Sequence, residues 1–361
     1  MTTISSHRKL SARCICCGPA DVSRRKFVAG GIAALGAGAA ALGSTGAVAQ
    51  TADPRRIDVH HHLAPPKWIA DVVVGRKTGQ RPLANWTPAK AIEDMDQGGV
   101  ATTVTSISEP AVWFGDNDAA RKLARECNEY AAKLKADHPG RFGMFATLPM
   151  PDVEGSLREA AYALDTLKAD GICLMTSYQS KYLGDPAFTP LFEELNRRKA
   201  VVYTHPVRAD CCRNLVAEVA VPTVELPFDT TRTILSIVFS GTAVRFPDIR
   251  YIWSHAGGAL PMLMNRIERY AAGRKDFANR YPQGVRHELQ KFYYDTASAS
   301  YPSTLAPLLQ LVKSSQVLFG TDFPFGRSAA TAKGLADYGL SDGDLRAIGR
   351  DNAAKLMPRL T

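Results

Sequence analysis

From Arg56 onward the chain alternates short apolar runs with longer amphipathic segments, and this pattern restricts the fold more than any other feature. It implies βαβ units arranged around a parallel sheet. Eight runs have strand character: Ile57 to His62, Thr102 to Ile107, Phe142 to Thr147, Gly171 to Met175, Val201 to His205, Arg250 to Ser254, Phe292 to Asp295 and Val317 to Phe319. Helices are expected between them near Pro88 to Gln97, Asp118 to Asp137, Val153 to Lys168, Phe188 to Arg198, Thr230 to Arg245, Leu260 to Ala272 and Thr304 to Val312, followed by a helical tail, Ser341 to Met357. This count fits an α/β fold of the (β/α)8 TIM-barrel type, which needs about 250 residues or more. An open doubly wound sheet would normally show a Gly-rich phosphate turn after its first strand, and here that strand ends in His60-His61-His62 instead. The polar stretch Arg76 to Pro88 reads as a long βα loop able to form part of a lid.

With 361 residues, the chain exceeds what one core of roughly 250 to 300 residues needs. The excess lies at the front. Arg24-Arg25-Lys26-Phe27 precedes an apolar, glycine-rich stretch, and Ala47-Val48-Ala49 forms a small-residue cleavage site. Residues 1–49 therefore read as an export signal of the twin-arginine type, cleaved after Ala49, with an ordinary secretory signal or an uncleaved anchor as the alternatives. Residues 50–361 form the expected barrel domain, soluble and periplasmic once the signal is removed. The charge of +9 is mostly a property of the leader: 44 basic and 35 acidic residues, less its six and one, leave 38 and 34, or +4. No basic stripe interleaved with aromatics follows, so nucleic acid is not an expected partner. Cys14, Cys16 and Cys17 leave with the leader. Cys173 reads as a buried thiol, Cys127 lies in a helical stretch, and adjacent Cys211 and Cys212 could each find a partner in an oxidising compartment.

Strand alternation puts His60 and His62 on one face and turns His61 away, so an H-x-H pair at a strand end can hold one ion through two imidazoles. A polar strand end with a chance histidine cluster is the plain alternative. Asp58 either buttresses a ligand or closes a turn. His205 ends the fifth expected strand and His255 directly follows the sixth, itself followed by Ala256-Gly257-Gly258, where the backbone can approach a ligand closely. Asp322 follows the eighth and could equally make an Asx turn before Pro324. Each reading is modest alone, but all five residues fall on the barrel rim where such folds place catalytic groups. His60, His62, His205 and Asp322 make a nitrogen and oxygen set suited to one divalent ion, zinc first and manganese second, with a position left for water. His255 then serves as acid or base, or orients that water. The fourth strand offers no lysine or glutamate to bridge a second metal, and His61, His138 and His287 lie outside the set.

The motifs Asp58-Val-His-His-His, Thr204-His-Pro, Ser254-His-Ala-Gly-Gly and Gly320-Thr-Asp-Phe-Pro-Phe resemble, in order and spacing, those of the amidohydrolase-related metal-dependent decarboxylases, the group of 2-amino-3-carboxymuconate-6-semialdehyde decarboxylase and 6-methylsalicylate decarboxylase. The resemblance runs from Arg56 to Arg327. It implies that His60, His62, His205 and Asp322 ligate the metal, that His255 is the catalytic histidine with Asp322 beside it, and that an arginine grips the substrate carboxylate. Arg81 is the candidate for that grip, with Arg76 and Arg232 competing, and Phe228, Phe323, Phe325 and Trp113 are candidates for an aromatic wall. The implied reaction is non-oxidative decarboxylation of a small aromatic or unsaturated carboxylic acid. Hydrolysis of a lactone, ester or amide by the same ligands is the alternative. Relatives of this kind are commonly dimers and generally work in the cytoplasm, so an exported member would more naturally meet an aromatic acid or lactone from the environment.

Overall fold

The computed structural model describes residues 55–361 except 79, 213 and 214; the expected leader lies outside the described residues. Eight parallel strands follow one another around a single sheet in chain order: β1 (Arg56–Leu63), β2 (Val100–Ile107), β3 (Phe142–Thr147), β4 (Gly171–Met175), β5 (Val201–His205), β6 (Arg250–Trp253), β7 (Tyr293–Asp295) and β8 (Val317–Leu318). The sheet closes where the segment after β8 returns along β1. Val59 N donates to Phe319 O at 2.9 Å, Asp322 N to His60 O at 2.8 Å and His62 N to Phe323 O at 2.8 Å. The result is the expected TIM barrel, closed by the two segments that hold three of the four expected metal ligands, His60, His62 and Asp322.

Strands covered on both faces read as continuous apolar runs, and β1 is buried at every residue after Arg56. Asp58, His60, His61 and His62 are therefore fully buried polar groups, tolerable only if each finds a partner. One apolar cluster joins strand residues such as Ile57, Phe145, Tyr203 and Ile252 to Met357 and Leu360 of the C-terminal segment. A larger one packs the helices onto the strands, with Trp68, Trp253 and Phe192 among its members.

The helices start where capping chemistry starts them. Thr87 caps α1 (Pro88–Gln97), Asp116 caps α2 (Asn117–Asp137) and Asp152 caps α3 (Val153–Asp165), each side chain accepting from a backbone N–H of the first turn. α4 (Thr189–Arg197) and α6 (Leu260–Ala272) lie within a residue or two of expectation. α5 does not: it runs Val221–Phe239, nine residues earlier than expected, straight through Pro227. It stops before Gly241, whose φ of +83° ends the right-handed path, and Thr242–Arg245 is a separate turn. α7 (Pro302–Leu311) is close to expectation. α8 (Ser328–Asp337) was not anticipated, nor were the short helices Lys275–Arg280 and Gly284–Leu289. The tail is helical in three successive pieces, Asp342–Arg346, Ala347–Asp351 and Asn352–Leu356.

The expected loop Arg76 to Pro88 contains a helical turn, Arg81–Ala84, anchored by buried Leu83 and Gln80. Cys211 and Cys212 are joined to each other in a short turn of the loop after β5. Cys127 and Cys173 are buried free thiols, and burial pushes Cys173 up to about 12. Among the described residues no helix is long and apolar enough to cross a membrane.

Candidate metal centre and active site

His60, His62, His205 and Asp322 converge from β1, β5 and the segment after β8, and one donor atom from each falls within 4.8 Å of the others. All four sequence-assigned ligands thus meet at one point, and this is the one such group among the described residues. The hydrogen bonds decide which ring nitrogen is left for the centre. His60 Nδ1 donates to Asp295 Oδ2 at 2.8 Å, and His205 Nδ1 donates to Pro206 O at 2.8 Å. Each Nε2 is thereby the free lone pair, the arrangement by which outer carboxylates and carbonyls orient metal-binding histidines. His60 Nε2 lies 3.2 Å from Asp322 Oδ1 yet makes no hydrogen bond, a buried nitrogen without a hydrogen-bond partner. His62 Nε2 lies 3.0 Å from the same oxygen. The donor set and this orphaned nitrogen fit a divalent cation.

The electrostatics agree. Burial holds His205 well below its ordinary pKa, with His62 and His60 adding to the effect. Burial also lowers His62 against the pull of Asp322, so both rings are neutral donors. Burial opposes ionisation of Asp322, but His60 and His62 outweigh it and hold the carboxyl well below the usual range. His60 is the exception. Burial works against its positive charge, yet Asp295 and Asp322 together raise it to about 10. Two carboxylates stabilise positive charge at this point, which is where a bound cation would supply it.

Asp295, at the end of β7, was missed by the sequence reading. Besides orienting His60, it accepts from His255 N at 2.8 Å and Ala297 N at 3.0 Å, so one carboxylate positions both His60 and His255. Its signal was present: it is the acidic residue that ends the seventh expected strand. Asp58 accepts from His60 N at 2.9 Å, Thr321 N at 3.1 Å and Thr321 Oγ1 at 2.6 Å, which ties β1 to the turn before Asp322. It closes a turn and steadies the ligand segments without touching a ligand ring. His61 turns away as expected, donating toward Asp58 at 3.1 Å and stacking on Phe323 at 4.6 Å.

His255 has a φ of +53° and Asp322 one of +64°, left-handed conformations uncommon for a residue with a Cβ. Both sit at the site. His255 Nδ1 donates to Ala297 O at 3.2 Å, which leaves Nε2 aimed at Asp322 Oδ2, 3.9 Å away. The glycines after His255 serve packing more than ligand approach: a Cβ on Gly258 would sit 1.9 Å from Pro227 O, and one on Gly257 2.9 Å from the Tyr294 ring.

Above this floor opens a cavity of about 570 Å³ lined by His205, His255 and Asp322. Of the expected aromatic wall only Phe325 lines it, its ring edge-on to His62 at 5.6 Å. Phe323 is taken by His61, and neither Trp113 nor Phe228 reaches the lining. Arg81 is exposed and outside the lining. Arg76 lies over the Phe114 ring at 4.1 Å beside a different cavity, and Arg232 faces Asp229 at 3.9 Å. The arginine that lines the pocket is Arg208, with Gln80, Ser108 and Glu109, none of which the sequence reading assigned.

The amidohydrolase family profile matches residues 57–359. This chain belongs to the amidohydrolase family. Within it, the chain is 37% identical over 326 residues to Decarboxylase yanB of Aspergillus niger, covering 84% of this chain and 88% of that protein. It is 34% identical over 314 residues to the 6-methylsalicylic acid decarboxylase of Penicillium expansum, covering 84% and 97%. Among solved structures it is similar to 2,6-dihydroxybenzoate decarboxylase from Rhizobium, with a TM-score of 0.73, 25% identity, and coverage of 84% of this chain and 98% of the other.

Proposed function

We propose that this amidohydrolase is a carboxy-lyase that removes CO2 without oxidation from a small aromatic or unsaturated carboxylic acid. The observation that supports this most is the His60, His62, His205 and Asp322 cluster at the floor of a partly apolar cavity, in a chain whose similar relatives are named as decarboxylases. A divalent ion held by these four residues would supply Lewis-acid charge to bind the carboxylate and offset negative charge developing on the substrate. The donor set suits zinc first, with manganese as the alternative.

The chain's own groups do the rest. His255 carries its Nδ1 proton toward Ala297 O, so Nε2 is the nitrogen that takes up and gives back a proton. Asp322 Oδ2 faces that nitrogen at 3.9 Å. The proton passes to the carbon that bears the carboxylate, the bond to the carboxyl carbon breaks, and its electron pair restores the unsaturated system as CO2 leaves. Leu226, Pro227, Pro261 and Met262 give the cavity apolar surface, which lowers the local dielectric and sharpens each charge interaction.

Metal-loaded protein incubated with a panel of hydroxybenzoates and carboxymuconates should release CO2 from at least one of them. No CO2 from any, together with acid release from lactones, would replace this reading with hydrolysis.

Two further parts of the reading rest on residues 1–49 and on exposed apolar side chains. Arg24 to Phe27 and Ala47 to Ala49 support twin-arginine export, which predicts a mature protein beginning at Gln50 in the periplasmic fraction. Exposed Leu215, Val216, Met262 and Tyr301 favour a homodimer, measurable by sedimentation.

A further inference from the structure

The cavity above the metal floor has two unlike walls. One comes from the helices after β5, β6 and β7 and is apolar: Leu226, Pro227, Pro261, Met262 and Pro307. The other is polar and comes from the loops after β1, β2 and β5: Gln80, Ser108, Glu109 and Arg208. In a closed ring of eight strands β2 stands across from β6, and Arg208, which follows β5, is held to the β1 and β2 loops by Thr78 and Glu109.

The polar wall is built rather than incidental. Glu109 is 3% exposed; it accepts from Gln80 Nε2 at 2.9 Å and from Arg208 N at 2.9 Å, and faces Arg208 Nε at 2.8 Å. Arg208 Nη1 also donates to Thr78 O at 3.3 Å, and about a third of the side chain, 32%, stays open. Next to Glu109, Ser108 is 1% exposed and its Oγ has no hydrogen-bond partner. A buried hydroxyl without a partner costs free energy, and one lining a ligand cavity finds its partner in the ligand.

We infer that Arg208, positioned by Glu109 and Gln80, determines specificity by donating to an oxygen substituent on the ring edge that faces it, with Ser108 beside it. The substrate class that follows is an asymmetric aromatic acid, its carboxylate on the metal floor, one edge bearing a hydroxyl or oxo group and the other bearing hydrogen or alkyl against the apolar wall. The inference rests on the pocket being a site for small aromatic acids. It concerns recognition, so it is testable by binding alone.

The experiment is calorimetric titration of metal-loaded protein with benzoate, 3-hydroxybenzoate and 4-hydroxybenzoate. At least one hydroxybenzoate should bind tenfold or more tighter than benzoate, since a site built to bond a hydroxyl rejects the analogue lacking it. In Arg208→Met that advantage should fall below threefold while benzoate binding stays within about twofold. Glu109→Gln should lose part of the advantage and leave benzoate binding intact, whereas a purely structural role would weaken all three ligands together. If Arg208→Met did not fold, Arg208→Lys would serve, since it keeps the charge but not the forked donor and should retain only part of the preference. A wild-type protein that binds the three ligands equally, or an Arg208→Met variant that weakens benzoate as much as the hydroxybenzoates, overturns the inference. A preference that depends on Arg208 in a protein releasing no CO2 supports it and counts against decarboxylation alone.

Discussion

The floor of the pocket and its polar wall are built by different rules. The floor is set by strand ends whose backbone is locked into the barrel ladder, and three of its four ligands are histidines on β1 and β5. Its geometry follows from strand periodicity, and neighbouring strands restrain each side chain. The wall is assembled from three loops, and its central contact joins residues 99 apart in sequence, Glu109 and Arg208. Chemistry common to the family belongs on the first, and substrate choice on the second, because loops can change without disturbing the ladder.

This contrast can be broken at graded points. His205→Ala or Asp322→Asn should abolish activity and metal retention together, read by elemental analysis and CO2 release. Asp295→Asn should weaken metal binding about 10- to 100-fold, the usual cost of losing an orienting partner, with partial rescue by excess metal. A ligand-free structural role for Asp295 predicts lower stability at unchanged metal affinity instead. Gly258→Ala places a Cβ against Pro227 O at a φ of +67°, and should cost about 1–3 kcal/mol of stability. Because His255 lies three residues away, kcat should fall more than metal content does. Phe325→Ala, in the pocket lining beside His62, should raise KM several-fold with metal content unchanged.

The smallest effect lies away from the pocket, on α4. The paired arginines 197 and 198 outweigh burial and hold Glu194 down to about 2, below its ordinary 4.5. A depressed carboxylate contributes stability that is fully present above about pH 4.5 and lost as pH falls toward 2. After solvent screening that contribution is about 1 kcal/mol. Glu194→Gln should thus lower the melting temperature by about 1–2 °C at neutral pH, with a difference that shrinks below pH 4.5 and no change in CO2 release.

The same contrast explains what was legible in the sequence. His60, His62, His205, His255 and Asp322 could be placed because each lies at or just past the C-terminal end of an apolar run, and runs of that kind have one geometry in a parallel barrel. Asp295 ends such a run too but stands in no motif of its own, so its role emerged only with its distance to His60. Arg81 was named and Arg208 was not because loop side chains have no periodicity to follow, and only the folded chain brings Gln80, Glu109 and Arg208 together. α5 was placed too late because Pro227 looks like a stop, while the helix passes through it and Thr231 Oγ1 donates to the Pro227 carbonyl at 2.9 Å.

The central claim is that a single ion on this floor supports decarboxylation. The direct test is to strip the protein with a chelator and titrate a divalent metal back while measuring CO2 release from an accepted hydroxybenzoate. Activity should be absent at the start and rise to a plateau at one equivalent per chain. Full activity in the stripped protein, or a plateau that requires two equivalents, would contradict the account.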